Sequence, residues 1–175
     1  MTKRVGLAFV AAAVLALGAG AAWRHFTSDG ARSAATNGAT VLALDLPDVA
    51  GVDQRLSQWK GKILVVNFWA TWCEPCREEM PRFVTLQRQF GEKGLQFVGI
   101  AIDQPDKARE FAKEIELNYP TLIGGYGAIE LSKTLGNDIG ALPFTLVVNR
   151  AGSVVLAQLG PIKDDQLRSI INKSL

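Results

Sequence analysis

The order of apolar and polar positions marks out the elements before any residue's chemistry is considered. Ile63 to Trp69, "ILVVNFW", is a short apolar run rich in β-branched and aromatic residues, bounded by Gly61 and by polar residues, and it predicts a strand buried on both faces. After it Cys76, Met80, Phe83, Val84 and Phe90 recur at helical spacing, and Gly91 and Gly94 close the segment, so a helix follows directly. Leu95 to Ile102, "LQFVGIAI", reads as a second buried strand, which completes a βαβ unit with a right-handed crossover. Asp103 is expected to cap a further helix with Pro105 near its start; Ala108, Phe111, Ala112 and Ile115 form its stripe and Asn118 ends it. A short helix over Ala128 to Leu135 follows. Strands over Phe144 to Val148 and Val154 to Leu159 are joined by the turn signal "NRAG". An amphipathic helix from about Asp164, with Leu167, Ile170 and Ile171 inward, comes last. The pattern predicts an α/β fold, a mixed sheet flanked by helices.

The N-terminal part follows a different rhythm. Behind Lys3 and Arg4, the nineteen residues from Val5 to Trp23 carry no charge. As a helix they reach about 28 Å, close to the ~30 Å hydrocarbon thickness of a bilayer. Residues 1–23 are therefore expected to be a membrane anchor whose basic start stays in the cytoplasm. The alternative is a cleaved signal, with Ala19-Gly20-Ala21 as the small-residue site. Either reading exports the remainder. Residues 24–40, rich in Ser, Thr, Asn, Ala and Gly, read as a flexible linker with a span on the order of 20 to 25 Å, and residues 41–175 as one folded domain. From Val41 onward fifteen Lys and Arg face sixteen Asp and Glu, so the domain makes no electrostatic case for nucleic acid.

The chain's two cysteines, Cys73 and Cys76, sit where the first strand gives way to the helix. As a structural staple they would close a loop of a few residues and remove little unfolded-chain entropy. As a metal site they supply two soft ligands where a closed zinc site needs four, and the single histidine, His25, lies in the tether. Redox exchange explains more. At a helix start the unpaired N–H groups and the dipole stabilise a thiolate. Cys73 would then be the exposed nucleophile, and Cys76, one turn deeper with Met80 and Phe83, the resolving thiol. Pro75 is tolerated in the first helical turn and fixes the backbone between the sulfurs. Peroxidase chemistry fits poorly, because a peroxidatic cysteine is preceded three positions earlier by Thr, where this chain has Ala70.

"NFWATWCEPCREEMP" closely resembles the active-site segment of thioredoxin-fold proteins, in particular the membrane-anchored, extracytoplasmic TlpA-like and ResA-like thiol-disulfide oxidoreductases. The resemblance covers nearly all of Leu42 to Leu175. It implies a thioredoxin-like fold with an N-terminal hairpin in "LALDLPDVAGVDQRLSQWKGK" and a central helix-strand insertion at about Pro105 to Ile123. "ALPFTLVVNRAG" resembles the family's later motif, which implies a cis Leu142-Pro143 bond beside the cysteines and a substrate chain pairing with the backbone at Leu142.

Other residues take roles by the same resemblance. Glu79 matches the family's acid beside the thiols, implying proton transfer; the plain alternative is a solvated glutamate like Glu78. Asn67 stands where cytosolic thioredoxins carry a buried aspartate and is expected to satisfy local hydrogen bonds. Trp72 is a candidate substrate contact, with packing as the alternative. Glu74, between the cysteines, raises the Cys73 pKa by like charge, and a less stable thiolate makes a less oxidising couple, so the balance leans to a reductase. The expectation is a monomeric extracytoplasmic reductase of exported protein disulfides in cytochrome c biogenesis or copper-site assembly. It would draw electrons from a membrane thiol donor and use no cofactor or metal beyond the redox-active disulfide. The rival is a Cu(I)-carrying chaperone without turnover.

Overall fold

The computed structural model describes residues 38–175; the expected anchor and the linker up to residue 37 lie outside the described residues. Among the described residues no helix is long and apolar enough to cross a membrane. The last residues assigned to the linker differ from expectation: residues 38–42 are helical, and Val41 is buried in the core. A Cβ on Gly38 would meet the Gly152 carbonyl oxygen at 1.9 Å, so this turn can lie against the far hairpin only because position 38 has no side chain.

Two sheets form. Strands β1 (Asp45–Pro47) and β2 (Asp53–Arg55) make the small antiparallel entry hairpin. The main sheet contains β3 (Ile63–Trp69), β4 (Leu95–Ala101), β5 (Thr121–Ile123), β6 (Phe144–Val148) and β7 (Val154–Leu159), in the order β5-β4-β3-β6-β7. Strands β3, β4 and β5 are parallel, whereas β6 and β7 run as an antiparallel hairpin against β3. Every residue of β3 is buried, as an unbroken apolar strand between two covered faces should be. Helices α1 (Glu74–Phe90), α2 (Pro105–Glu114), α3 (Gly127–Thr134) and α4 (Asp164–Ser174) complete the mixed α/β arrangement, with α2 and β5 forming the central insertion.

The sheet separates two apolar clusters. One gathers Ile63, Val65, Trp69, Phe97 and Val147 with Cys76, Met80 and Phe83 of α1 and Leu167 and Ile171 of α4. The other gathers Leu64, Val66, Phe68, Ile100 and Leu146 with Ala128 of α3. Helix α1 runs through Pro81, which cannot donate to the Arg77 carbonyl; the loss of one bond does not end a helix whose inner face is this well covered. The cap expected at Asp103 is a difference. Gln104 is the residue before α2 and no side chain caps it, because the Asp103 carboxylate is committed elsewhere.

Candidate active site

The site begins at the end of β3. Trp69 and Ala70 are buried, the chain turns through Thr71 and Trp72, and Cys73 is the N-cap of α1 with extended backbone (φ −92°, ψ 99°). Its sulfur accepts the Cys76 amide at 3.3 Å, meeting one of the donors a helix start leaves without a backbone partner. Cys73 and Cys76 are joined as a disulfide, S–S 2.00 Å with Cα atoms 5.3 Å apart. The pair is unequal: Cys73 is 6% exposed and Cys76 is sealed. Cys73 is thus less open than expected of an exposed nucleophile. Trp72 is 60% exposed, Glu74 is exposed at the first position of α1, and Pro75 is half-buried between the cysteines.

The turn before the cysteines is held from β4. The Asp103 carboxylate accepts the Thr71 amide at 2.9 Å, the Thr71 hydroxyl at 2.5 Å and the Gln104 amide at 2.8 Å. Burial pushes the Asp103 carboxyl up, but the Thr71 and Gln104 bonds and the Lys107 charge outweigh it and hold the group below its ordinary value. Asp103 therefore positions the loop rather than capping α2.

One turn past Cys76, Glu79 is fully buried while Glu78 is exposed, so the two neighbours part company. One Glu79 oxygen accepts the Asn67 amide nitrogen at 3.0 Å and the other accepts the Ile162 backbone amide at 3.2 Å. Asn67 Nδ2 also donates to the Thr145 hydroxyl at 3.0 Å. Burial pushes the Glu79 carboxyl up to about 7; the Ile162 and Asn67 hydrogen bonds and the Arg82 charge pull the other way without cancelling it. A carboxyl that titrates near neutrality under a dithiol pair can hold or release a proton at working pH. Burial raises the Tyr119 phenol as well, and the Glu79 charge adds to the rise.

On the other flank the Leu142–Pro143 peptide is cis, as the resemblance implied. Leu142 packs against the cluster that contains both cysteines, and Pro143 is buried at the start of β6. The sequence-predicted residues therefore meet at one end of the sheet: Trp72, Cys73, Glu74, Pro75 and Cys76 on the turn, Glu79 beneath it, Leu142 and Pro143 beside it. Thr145 and the Asp103 clasp were not foreseen. Thr145 had a readable signal, being the single polar residue in the buried strand "FTLVV". Among the described residues no group of three or more His, Cys, Asp or Glu side chains could hold a metal ion.

The AhpC/TSA family model matches residues 38–157. The chain is 33% identical over 127 residues to the thiol-disulfide oxidoreductase ResA of Bacillus thuringiensis subsp. konkukian (strain 97-27), covering 72% of this chain and 71% of that protein. It is 29% identical over 128 residues to the protein of the same name from Bacillus subtilis (strain 168), covering 73% and 69%. A crystal structure of a thiol:disulfide interchange protein of the thioredoxin family from Chlorobium tepidum TLS superposes with a TM-score of 0.68 at 28% identity, over 75% of this chain and 92% of that one. With a cysteine pair at disulfide distance in a thioredoxin fold, the chain belongs to the AhpC/TSA family and is a ResA-like thiol-disulfide oxidoreductase.

Proposed function

We propose that this oxidoreductase acts outside the cytoplasm, tethered by residues 1–23, as a reductase of disulfides in exported proteins. In the reduced protein the Cys73 thiolate attacks a substrate disulfide; one Cys73–substrate S–S bond forms and the first substrate thiol leaves. Cys76 then attacks the Cys73 sulfur, freeing the second substrate thiol and leaving the Cys73–Cys76 disulfide. Two electrons have passed to the substrate, and a membrane thiol donor restores them. Glu79 takes the Cys76 proton as that thiol attacks. Trp72 and the backbone at Leu142, ahead of Pro143, hold the substrate chain. The exchange needs no cofactor and no metal, and the protein works as a monomer. The substrate is an apocytochrome c or a copper-site protein, as the family resemblance implies.

The inequality of the pair carries this reading. Cys73, at a helix start, keeps a small exposure of 6% while Cys76, one turn below, is sealed, and this supports attack by Cys73 and release by Cys76. Exposed Glu74 beside Cys73 disfavours the thiolate and favours the reducing direction. A redox titration tests that direction: a midpoint far below the roughly −120 mV of a DsbA-type oxidant supports a reductase, and one near it reverses the direction. Cys76→Ala should trap a mixed disulfide whose mass identifies the substrate. If Cys73→Ala keeps full exchange activity, the assignment of roles fails.

A further inference from the structure

We propose that Lys60, Lys62, Lys93 and Arg150 form a basic surface that rests on anionic phospholipid headgroups and so holds the disulfide, at the opposite end of the domain, away from the bilayer. The inference depends on the reading of residues 1–23 as a membrane anchor and adds to it the orientation of the folded domain.

Strand register gathers the four residues at one end. Lys60 and Lys62 flank Gly61 just ahead of β3, Lys93 comes two residues before β4, and Arg150 lies in the turn from β6 to β7. Ile63 pairs with Leu95 at the start of β4, and Leu64 with Val148 at the end of β6, whereas the disulfide follows the far end of β3. Contacts make the cluster continuous. The Arg150 guanidinium donates to the Lys93 carbonyl at 2.9 Å, and a Cβ on Gly94 would meet that guanidinium at 3.0 Å. The Ile63 amide, next to Lys62, donates to the Gly94 carbonyl at 2.9 Å. All four residues are exposed, and none enters an ion pair among the described residues.

The domain's two ends carry opposite charge although its sum is close to zero. Arg88 and Lys173, in the last turns of α1 and α4, join the basic end, because Arg168 of α4 reaches Gln89 of α1 at 2.8 Å and both helices run away from Glu79. Residues 60–62, 88–94, 149–153 and 172–175 thus hold six Lys and Arg against one acidic side chain, Glu92. At the disulfide end, residues 70–78, 102–110, 136–143 and 160–165 hold eight Asp and Glu against four Lys and Arg. Such a separation orients a domain in the field of a charged surface.

The path of the chain identifies that surface. Gly38 lies against Gly152, two residues past Arg150, so the chain enters the domain at the basic end. Residues 24–37 separate it from the expected anchor, a random-coil span of about 20 Å. The tether therefore delivers this end, and not the acidic one, to the membrane, where anionic headgroups attract basic side chains within a Debye length of about 8 Å. The seven residues of β3 add about 23 Å between lipid and disulfide. Cys73 then faces soluble exported proteins, and a membrane thiol donor must reach it with groups that project from the bilayer.

The test places the oxidised full chain in vesicles of phosphatidylcholine, alone or mixed with phosphatidylglycerol, with a trace of rhodamine-labelled lipid as energy acceptor. A donor fluorophore is carried by Ala151→Cys at the basic end or by Ile139→Cys in the loop leading to Pro143; the native cysteines, joined to each other, do not take the label. Phosphatidylglycerol should raise transfer from position 151 about twofold relative to position 139, and 1 M salt, with a Debye length of about 3 Å, should reverse the rise. The triple variant Lys60→Gln, Lys62→Gln, Lys93→Gln should show no rise, yet after reduction with dithiothreitol it should reduce glutathione disulfide at the wild-type rate. Arg150 is kept because it braces the Lys93 turn. If the chain floats with both vesicles but the transfer ratio ignores phosphatidylglycerol or salt, or the active triple variant responds as the wild type does, the surface falls and the anchor stands. If it floats with neither, the anchor reading falls and the surface with it. Flotation with the anionic vesicles alone, lost in the triple variant, keeps the surface and removes the anchor.

Discussion

The two faces of the main sheet are built from the same strands and could hardly differ more. On the face toward α3, the strands present Leu64, Val66, Phe68, Val98, Ile100, Leu122, Phe144, Leu146 and Val148, and the one polar side chain in these rows, half-buried Gln96 opposite Leu64, lies at the end of β4 away from the disulfide and donates to the Phe97 carbonyl at 2.9 Å. On the face toward α1, one row across the strands reads Thr121, Gly99, Asn67, Thr145, by the pairings Thr121 to Gly99, Gly99 to Asn67 and Asn67 to Thr145. Glu79 reaches down onto that row. Along the same face Asn67 Oδ1, Trp69 Nε1, Thr121 Oγ1 and the Tyr119 hydroxyl have no hydrogen-bond partner among the described residues. Buried polar groups are mostly paired, and each unpaired one costs about 1 to 3 kcal/mol. The dry face supplies stability, and the polar face gives some back where the chemistry is. Catalytic groups under the disulfide are thus tolerated because half the sheet is free of them.

The sharpest way to break this division is to damage the dry face and look for chemical consequences. Phe68→Ala removes a fully buried ring and its partner contact with Phe144, 5.9 Å between centroids. A loss of about 3 to 5 kcal/mol is expected in denaturant unfolding. The exchange rate of the folded protein and its pH profile should stay as they are. A changed pH profile would mean the faces are coupled and the division is false.

Glu79→Gln should act in the opposite sense. The native carboxyl titrates at about 7 against an ordinary 4.5. Below pH 4.5 both native and unfolded forms are protonated and burial has no ionic penalty. As pH rises to 7 the unfolded chain ionises first, so stability drains away, by about 3 kcal/mol in total. Unfolding free energies from pH 4 to 8 should therefore slope downward in the wild type and lie nearly flat in Glu79→Gln, with the variant the more stable above pH 7. Equal slopes would show that Glu79 is not titrating from a buried state.

Asn67→Val tests the link between sheet row and helix. Its amide donates to the Glu79 carboxylate and favours the ionised form. Losing one hydrogen bond to a charged group, about 1.5 kcal/mol, should raise the Glu79 titration by about one unit. The carboxyl stretch of Glu79, assigned by its absence in Glu79→Gln, would show it. An unmoved titration would leave Asn67 as packing alone.

Local pattern made much of this legible. The run Ile63–Trp69 declared a doubly buried strand, and the Cys-Glu-Pro-Cys turn that follows it placed a cysteine at a helix start. The Asn67, Glu79 and Thr145 cluster was harder, because Asn67 and Thr145 are 78 residues apart and meet only through strand register. A trace of it was visible in the lone polar residue that interrupts each of the runs "ILVVNFW" and "FTLVV". The cap assigned to Asp103 failed for a related reason: local sequence offered α2, whereas the folded chain offered two donors on Thr71, 32 residues earlier.

Asp103 also supplies the smallest effect and the mirror image of Glu79. Its carboxyl is held below its ordinary 3.8, so the native state binds its proton less readily than the unfolded chain does. That stability is present above the unfolded value and is lost as pH falls through the folded one. Asp103→Asn keeps the shape but weakens the acceptor for Thr71, and a cost of about 1 kcal/mol is expected near pH 7, shrinking toward zero as acid protonates the wild type. The two carboxylates should then tilt the stability curve in opposite directions within one protein, Glu79 between pH 4.5 and 7 and Asp103 below pH 4. If Asp103→Asn costs the same at pH 3 as at pH 7, the clasp on Thr71 does not depend on charge, and the loop before Cys73 is held by packing instead.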